Sequence, residues 1–504
     1  MFLAGLGFLF LTFLPSLHGA TVTWVGGSGD WNTATNWSTA SLPGTNDDVV
    51  IGVGASITVT HSSGTHTVNS VQSQQAFVLS GGSLTVSNTF LASNTFTLSG
   101  GTLAAATVVM TNGISLVVSS GTLNGVAVNG VLDVGNTYSG ASLTVINGLV
   151  LNGTALVGHP SNGNYGRIYF AGTQPLSGNG TVVFGLGLSC GATTRNAFIV
   201  SDAGTGLTIG PGIIVRGQNG VIGYSPCYDW PQNVVVLNQG TISADVSGGT
   251  IYVNAQPFTN QGVIQSPAGT LNLAGTLTTG GLGNFQSGSG PLALSGVLTN
   301  TGTMLVLNGV TNTLTLQGGT VLGGSVTMTG GAFLVVNSGS GTLDGVTVNG
   351  MLDVGNSYSG ASLTVLDGLT MNGTLLVGHP SNGNYGRIYF AGTQALNGSG
   401  TVVFGLGLSC GAITRNGLLV SDADTGLTIG PGITVRGQNG VIGYSPCYGG
   451  PQNVVVLNQG TISADVSGGT ITVNAQPFTS TGALQALAGA VLNASVSLSL
   501  NDLT

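Results

Sequence analysis

Apolar and polar positions alternate along this chain in short runs. Thr250-Ile251-Tyr252-Val253 and Thr270-Leu271-Asn272-Leu273 are typical, and Gly, Asn or Ser residues bound each run. A period of two sends alternate side chains to opposite sides of an extended strand, and the small polar residues between the runs supply turns. The runs themselves recur: NQGTISA at 238 is followed by NQGVIQS at 260, and SGGT at 247 by PAGT at 267. One such strand cannot cover its own apolar side. Successive turns stacked at the strand spacing of about 4.8 Å enclose a continuous core. The pattern predicts an all-β chain, a parallel β-helix (β-solenoid) with a coil of about 20–22 residues, a repeat length typical of solenoids. β-Sandwiches also carry short, regularly spaced strands. They favour two-residue hairpin turns, whereas the regularity here is of coil length.

A longer repeat overlies the short one. Residues 131–259 recur at 351–479 with about 19 differences, and GHPSNGNYGRIYFAGTQ at 158–174 reappears unchanged at 378–394. The expected organisation is a signal peptide at 1–20, an N-terminal Trp-rich capping module at 21–78, a first β-helix copy at 79–297 and a second at 298–504. No Pro-rich or charged linker divides the copies, which favours a continuous body over beads on a string.

Composition agrees with strands and turns. Of 504 residues 89 are Gly and 4% are charged; all six basic residues are Arg, and all fourteen acidic residues are Asp. A chain without Lys or Glu is a poor builder of exposed helices. The net charge of −8 is scattered, with no basic stripe, so nucleic acid is not an expected partner. The first twenty residues, MFLAGLGFLFLTFLPSLHGA, read as a secretory signal peptide. No later apolar run reaches the roughly 18 residues a membrane helix needs. The expected location is therefore secreted or at the cell surface, with no membrane span.

Residues 23–52, TWVGGSGDWNTATNWSTASLPGTNDDVVIG, resemble a module found at the front of bacterial secreted β-helix proteins: W-x-G-G-x-G-x-W, then N-W, then P-G-x-x-D-D-V-x-I. The GTLNGVTVNG-like and NQGTISADVSGGTI-like strings are similar to the β-strand repeats of autotransporter-type and haemagglutinin-like surface proteins. The resemblance implies a right-handed parallel β-helix exported to the cell exterior for adhesion or as a stalk, and it carries over no catalytic residue. An autotransporter would continue into a membrane β-barrel with alternating strands and an aromatic girdle, a pattern not seen up to Thr504.

Trp24, Trp31 and Trp37 are three of only four Trp, and they suit a cap over the open apolar end of a first coil. The alternative is an aromatic platform for sugars. The spacing from Cys190 to Cys227 is the same as that from Cys410 to Cys447, which suggests one disulfide per copy. No cysteine pair has zinc-site spacing, and no metal or cofactor is expected. Asp30, Asp47 and Asp48 offer oxygen ligands for calcium, but turn capping fits them better.

The candidate ligand-binding residues are His159, Tyr165, Arg167, Tyr169, Arg195 and Arg216, with His379, Tyr385, Arg387, Tyr389, Arg415 and Arg436 as their second-copy counterparts. Tyr faces suit sugar rings, and Arg forks suit hydroxyls or carboxylates. A carbohydrate or other cell-surface ligand is the expected partner, bound bivalently by two equivalent sites about ten coils apart. The competing reading is that Arg and Asp pair to hold loops in place. A polysaccharide-degrading enzyme is the alternative function. Asp202 and Asp245, or Asp422 and Asp465, are close to two coils apart and could face one another as a carboxylate pair, yet both lie in turn strings, so no catalytic residue is assigned. Without Lys to guard strand edges, end-to-end self-association at the last coil is also expected.

Overall fold

The computed structural model describes residues 19–494, apart from 112, 229, 230, 310–312 and 488. The signal peptide expected at 1–20 lies almost wholly outside the described residues, as does the end of the last coil from residue 495.

The chain is nearly all β, with parallel strands stacked as a β-solenoid of about 20 turns. Most turns contribute three short strands, which run together in Ser115–Val134, Ala141–Val157, Gly341–Val354 and Ala361–Val377, and strands hydrogen-bond to their counterparts in the next turn. Two compact units make up the chain, one of residues 1–133 with 143–153, the other of residues 134–142 with 154–504.

In the first unit one ladder runs from Thr21–Thr23 through Asp48–Ile51 and Ser70–Ser73 to Thr89–Ala92. A second joins Thr58–His61, Ala76–Leu79 and the start of Phe96–Ala104. A third joins Thr65–Val68, Ser83–Val86 and the end of Phe96–Ala104. Past the first described turns the coil settles to a short, regular length, with Thr58 paired to Ala76 and Thr102 to Thr122.

Aromatic rings fill this unit's interior. Trp24, Trp31 and Trp37 are at most 2% exposed and meet edge to face, with centroids 4.8 Å (Trp24 to Trp37) and 4.7 Å (Trp31 to Trp37) apart. The Trp37 indole donates to the Trp31 carbonyl at 2.8 Å. Phe77, Phe90 and Phe96 continue the stack. Rings so deeply enclosed are core, which rules out an exposed sugar platform. The neighbouring carboxylates cap turns: Asp30 accepts from the Asn32 backbone N–H at 2.8 Å, and Asp47 from that of Gly44 at 2.7 Å.

In the second unit the turns change length. Thr154 pairs with Thr181, Arg167 with Ala197 and Gln174 with Leu207, the spacing between partners growing from one ladder to the next. The coil then shortens again, with Val236 paired to Phe258 and Thr250 to Thr270. The second copy repeats the progression at Thr374 with Thr401, Arg387 with Gly417 and Gln394 with Leu427, and shortens at Val456 with Phe478. The uniform coil expected from the sequence thus holds for the plain turns and fails where polar and aromatic residues gather. There the extra residues leave the coil between strands while the strands keep their register.

Buried asparagines stitch the plain turns together. Asn238 donates to the Asn260 side chain at 2.7 Å, and Asn260 to the carbonyls of Leu282 and Asn284 at 3.0 and 2.9 Å. The NQG strings therefore turn their Asn inward. The amide satisfies backbone groups where one strand ends and the next begins.

A histidine pair next to the Trp cluster gives the first unit a pH dependence. The fully buried His61 ring sits 2.9 Å from the Gly81 carbonyl through Nδ1 and 2.9 Å from His66 Nδ1 through Nε2. Burial, reinforced by His66, holds the His61 pKa below the ordinary histidine value. His66 is lowered too, chiefly by burial. The unfolded chain therefore binds protons that the folded one refuses, and stability falls as pH drops through about 6.5. Thermal unfolding followed by Trp fluorescence should give a midpoint that is flat above pH 7 and declines toward pH 5. The decline should be shallower in His61→Gln/His66→Gln; equal slopes would refute the assignment.

Candidate ligand-binding site

The long turns of each copy build the same cluster. On Gly166–Phe170 the residues Gly166, Ile168 and Phe170 point inward and Arg167 and Tyr169 outward, and Tyr165 just before the strand continues the outer row. The register places Arg167 beside Ala197, so Arg195 comes to lie over Tyr165, its guanidinium 5.5 Å from the ring centroid. The Arg167 guanidinium stands 5.9 Å from the Tyr169 ring and 5.0 Å from that of Tyr228. In the second copy Arg387 is 5.9 Å from Tyr389 and 4.7 Å from Tyr448, and Arg415 is 5.5 Å from Tyr385.

A small hairpin holds the cluster in place. Ser189–Cys190 pairs antiparallel with Thr193–Thr194. A disulfide joins Cys190 to Cys227, with Cα atoms 6.0 Å apart, and Cys410 is joined to Cys447 in the same way. The bridge presses the turn carrying Tyr228 against the hairpin, where the Tyr228 hydroxyl donates to the Arg195 carbonyl at 2.8 Å. Burial raises the Tyr228 pKa, against the opposing pull of Arg167. Beneath it, fully buried Asn196 accepts from the Gly166 N–H at 3.2 Å and donates to the carbonyls of Gly185 and Asn219, each at 3.1 Å. Asn416 does the same in the second copy. Under each hairpin runs a groove of about 390 Å³ in the first copy and 400 Å³ in the second.

The six arginines divide into two kinds. Arg216 pairs with Asp245 at 2.5 Å and Arg436 with Asp465 at 2.6 Å, so these two hold loops in place. Among the described residues no ion pair is formed by Arg167, Arg195, Arg387 or Arg415. The Nε of each is buried without a hydrogen-bond acceptor, a state that costs about 1–3 kcal/mol per donor.

Comparison with protein-family models, curated proteins and solved structures gave no match. The chemistry of the cluster is therefore read from its own geometry.

Of the expected site residues, the structure brings together Tyr165, Arg167, Tyr169 and Arg195, and in the second copy Tyr385, Arg387, Tyr389 and Arg415. His159 and His379 instead serve their own loops, where their Nδ1 atoms accept from the backbone N–H of Ser161 and Ser381, each at 3.1 Å. Tyr228 and Tyr448 join the cluster, and Asn196 and Asn416 support it from below. The disulfides that carry the two tyrosines, spaced alike in both copies, were the available signal.

The carboxylate pairs do not form. Asp202 follows Ala197–Val200, whereas Asp245 follows Thr241–Ala244 on another ladder. The Asp202 carboxylate accepts from the Gly172 N–H at 2.6 Å, while Asp245 is taken by Arg216 and by the Gly217 N–H. Asp422 and Asp465 are engaged alike. The unequal coil lengths put each pair out of phase.

Nor do the two clusters face the same way. From Gly166–Phe170 the ladder climbs nine turns, through Thr250 and Leu334, to Leu375–Val377. The second cluster starts one strand later, on Gly386–Phe390, which belongs to the ladder of Gly341 and Thr320. The copies are thus offset by nine turns and one strand, about 45 Å along the stack at the strand spacing, and they open on different faces. The separation is close to the expected span of about ten coils, and the extra strand is what turns the second cluster to another face.

Replacing Cys190 and Cys227 by Ser should destabilise the second unit by about 2–4 kcal/mol. Calorimetry with and without reductant should show a lowered midpoint, and the hairpin at 189–194 should become cleavable by protease. An unchanged midpoint would remove the bridge from this account.

Proposed function

We propose that the chain is an exported, non-enzymatic β-solenoid scaffold, akin to autotransporter-type and haemagglutinin-like surface proteins, that binds acidic glycans through two Arg–Tyr clusters. One observation carries the reading. In a chain of net charge −8, four of six guanidiniums have no carboxylate partner among the described residues and lie instead against tyrosine rings. Uronate, sialate or sulfate groups would pair with their charge, and sugar rings suit the tyrosine faces.

Export is supported by the apolar leader and by two disulfides, which persist in oxidising compartments. A binding role is favoured over hydrolysis because Asp202, Asp245, Asp422 and Asp465 are each held by a backbone N–H or an arginine. Because the clusters open on different faces, two ligand chains are bridged more readily than one flat surface is gripped twice. The arrangement suits cross-linking of long polysaccharides.

A glycan array probed with the mature protein should show saturable, salt-sensitive binding confined to acidic glycans. Arg167→Ala/Arg387→Ala should weaken it at least tenfold, while Arg216→Ala/Arg436→Ala should leave it within twofold. Indifference to the first pair, or release of shortened products from any polysaccharide, would contradict the proposal.

A further inference from the structure

The two copies differ in sequence where the disulfide-tied turn meets the coil. In the second copy this junction holds a cavity of about 210 Å³ walled by Tyr389, Tyr444, Tyr448 and Leu419, with Ser445 and Gly450 at its margin. Ser445 is only 4% exposed, and its hydroxyl is buried without a hydrogen-bond partner. In the first copy the matching hydroxyl, on Ser225, accepts from the Cys227 N–H at 3.4 Å.

Two of the sequence differences between the copies fall on this wall and a third lies beside it. Gly450 stands where the first copy has Trp230, and Gly417 and Leu419 where it has Ala197 and Ile199. The last two changes are coupled, because a Cβ on Gly417 would come within 2.7 Å of the Leu419 side chain, which leans over the glycine. A Cβ on Gly450 would meet nothing within 4 Å, so a larger side chain fits the backbone there and would project beside the cavity.

We infer that the second copy has a subsite for one pyranose ring in the cavity of Tyr389, Tyr444 and Tyr448, where Ser445 hydrogen-bonds a ring substituent and Arg387 faces an acidic group. This rests on the reading of the Arg–Tyr clusters as acidic-glycan sites and names where a sugar ring enters one of them. The volume is below the roughly 300–1,000 Å³ typical of pockets for larger ligands, which limits the occupant to a single ring. Tyrosine faces with one inward hydroxyl match a ring that is apolar on its faces and polar at its edge. Tyr389 and Tyr448 are shared with the Arg387 cluster, and the guanidinium stands 4.7 Å from the Tyr448 ring, which puts the cation beside one wall of the cavity. Glycine at 450 adds no side chain to the wall of this cavity.

The test uses the full mature chain with methyl β-D-glucuronide as probe and methyl β-D-glucoside as the neutral control, read by saturation-transfer NMR. The glucuronide ring protons should saturate at least threefold more strongly than those of the glucoside. Gly450→Trp, which installs the first copy's own residue, should cut the glucuronide signal at least fivefold with an unchanged thermal midpoint, and Ser445→Ala should cut it at least twofold. A glucuronide signal indifferent to Gly450→Trp would overturn the subsite. Array binding that still needs Arg167 and Arg387 would then leave the cluster reading standing. A signal lost in Gly450→Trp but indifferent to Arg387→Ala would keep the subsite and overturn the cluster reading instead.

Discussion

Everything in this protein depends on each turn returning in register over the turn before it. A parallel ladder joins residues far enough apart that the chain must close a full loop between hydrogen-bonded partners. That closure leaves no room at certain corners. At Gly217, with φ of 120°, a Cβ would press on the Phe184 carbonyl one turn below, and Gly437 repeats the arrangement over Phe404. Glycine is required there because it alone combines positive φ with such close approach. The buried Asn238 and Asn260 amides close other corners by bonding instead of by absence of bulk.

The same constraint explains where function can reside. Extra residues cannot enter a strand without shifting its neighbours, so the long turns place them between strands and outside the coil. Two of these excursions, the hairpin at 189–194 and the turn carrying Tyr228, are fastened to each other by Cys190–Cys227. The rigid ladder brings Arg195 over Tyr165, and the bridged turn brings Tyr228 over Arg167. Cations whose Nε–H groups lack acceptors are costly in a folded chain.

The fold was legible in the sequence because stacking leaves its mark at short range. Alternation in Thr250–Asn254 and the NQG spacing both follow from one strand lying on the next. The disulfide spacing and the outer row Tyr165, Arg167 and Tyr169 were legible for the same reason. What sequence could not yield was turn length in the polar regions, since Gly, Asn and Ser strings look alike whether they cross a corner or build an excursion. That single ambiguity misplaced Asp245 relative to Asp202 and hid the extra strand that turns the second copy's cluster to another face. The partition of the arginines was hidden as well: Arg216 and Arg167 look alike in sequence, and only the ladder shows which of them reaches an aspartate.

The long turns keep the same three ladders as the plain ones and carry their surplus outside. Amide hydrogen exchange across residues 154–273 distinguishes ladder from surplus. Gly166–Phe170, Thr181–Phe184, Gly206–Ile209 and Ile214–Gly217 should be protected as strongly as Thr250–Asn254 and Thr270–Leu273 in the plain turns. The stretches 159–164 and 202–205 should exchange at least a hundredfold faster. Uniformly weak protection of the strands between 166 and 217, or protection running unbroken through both stretches, would contradict it.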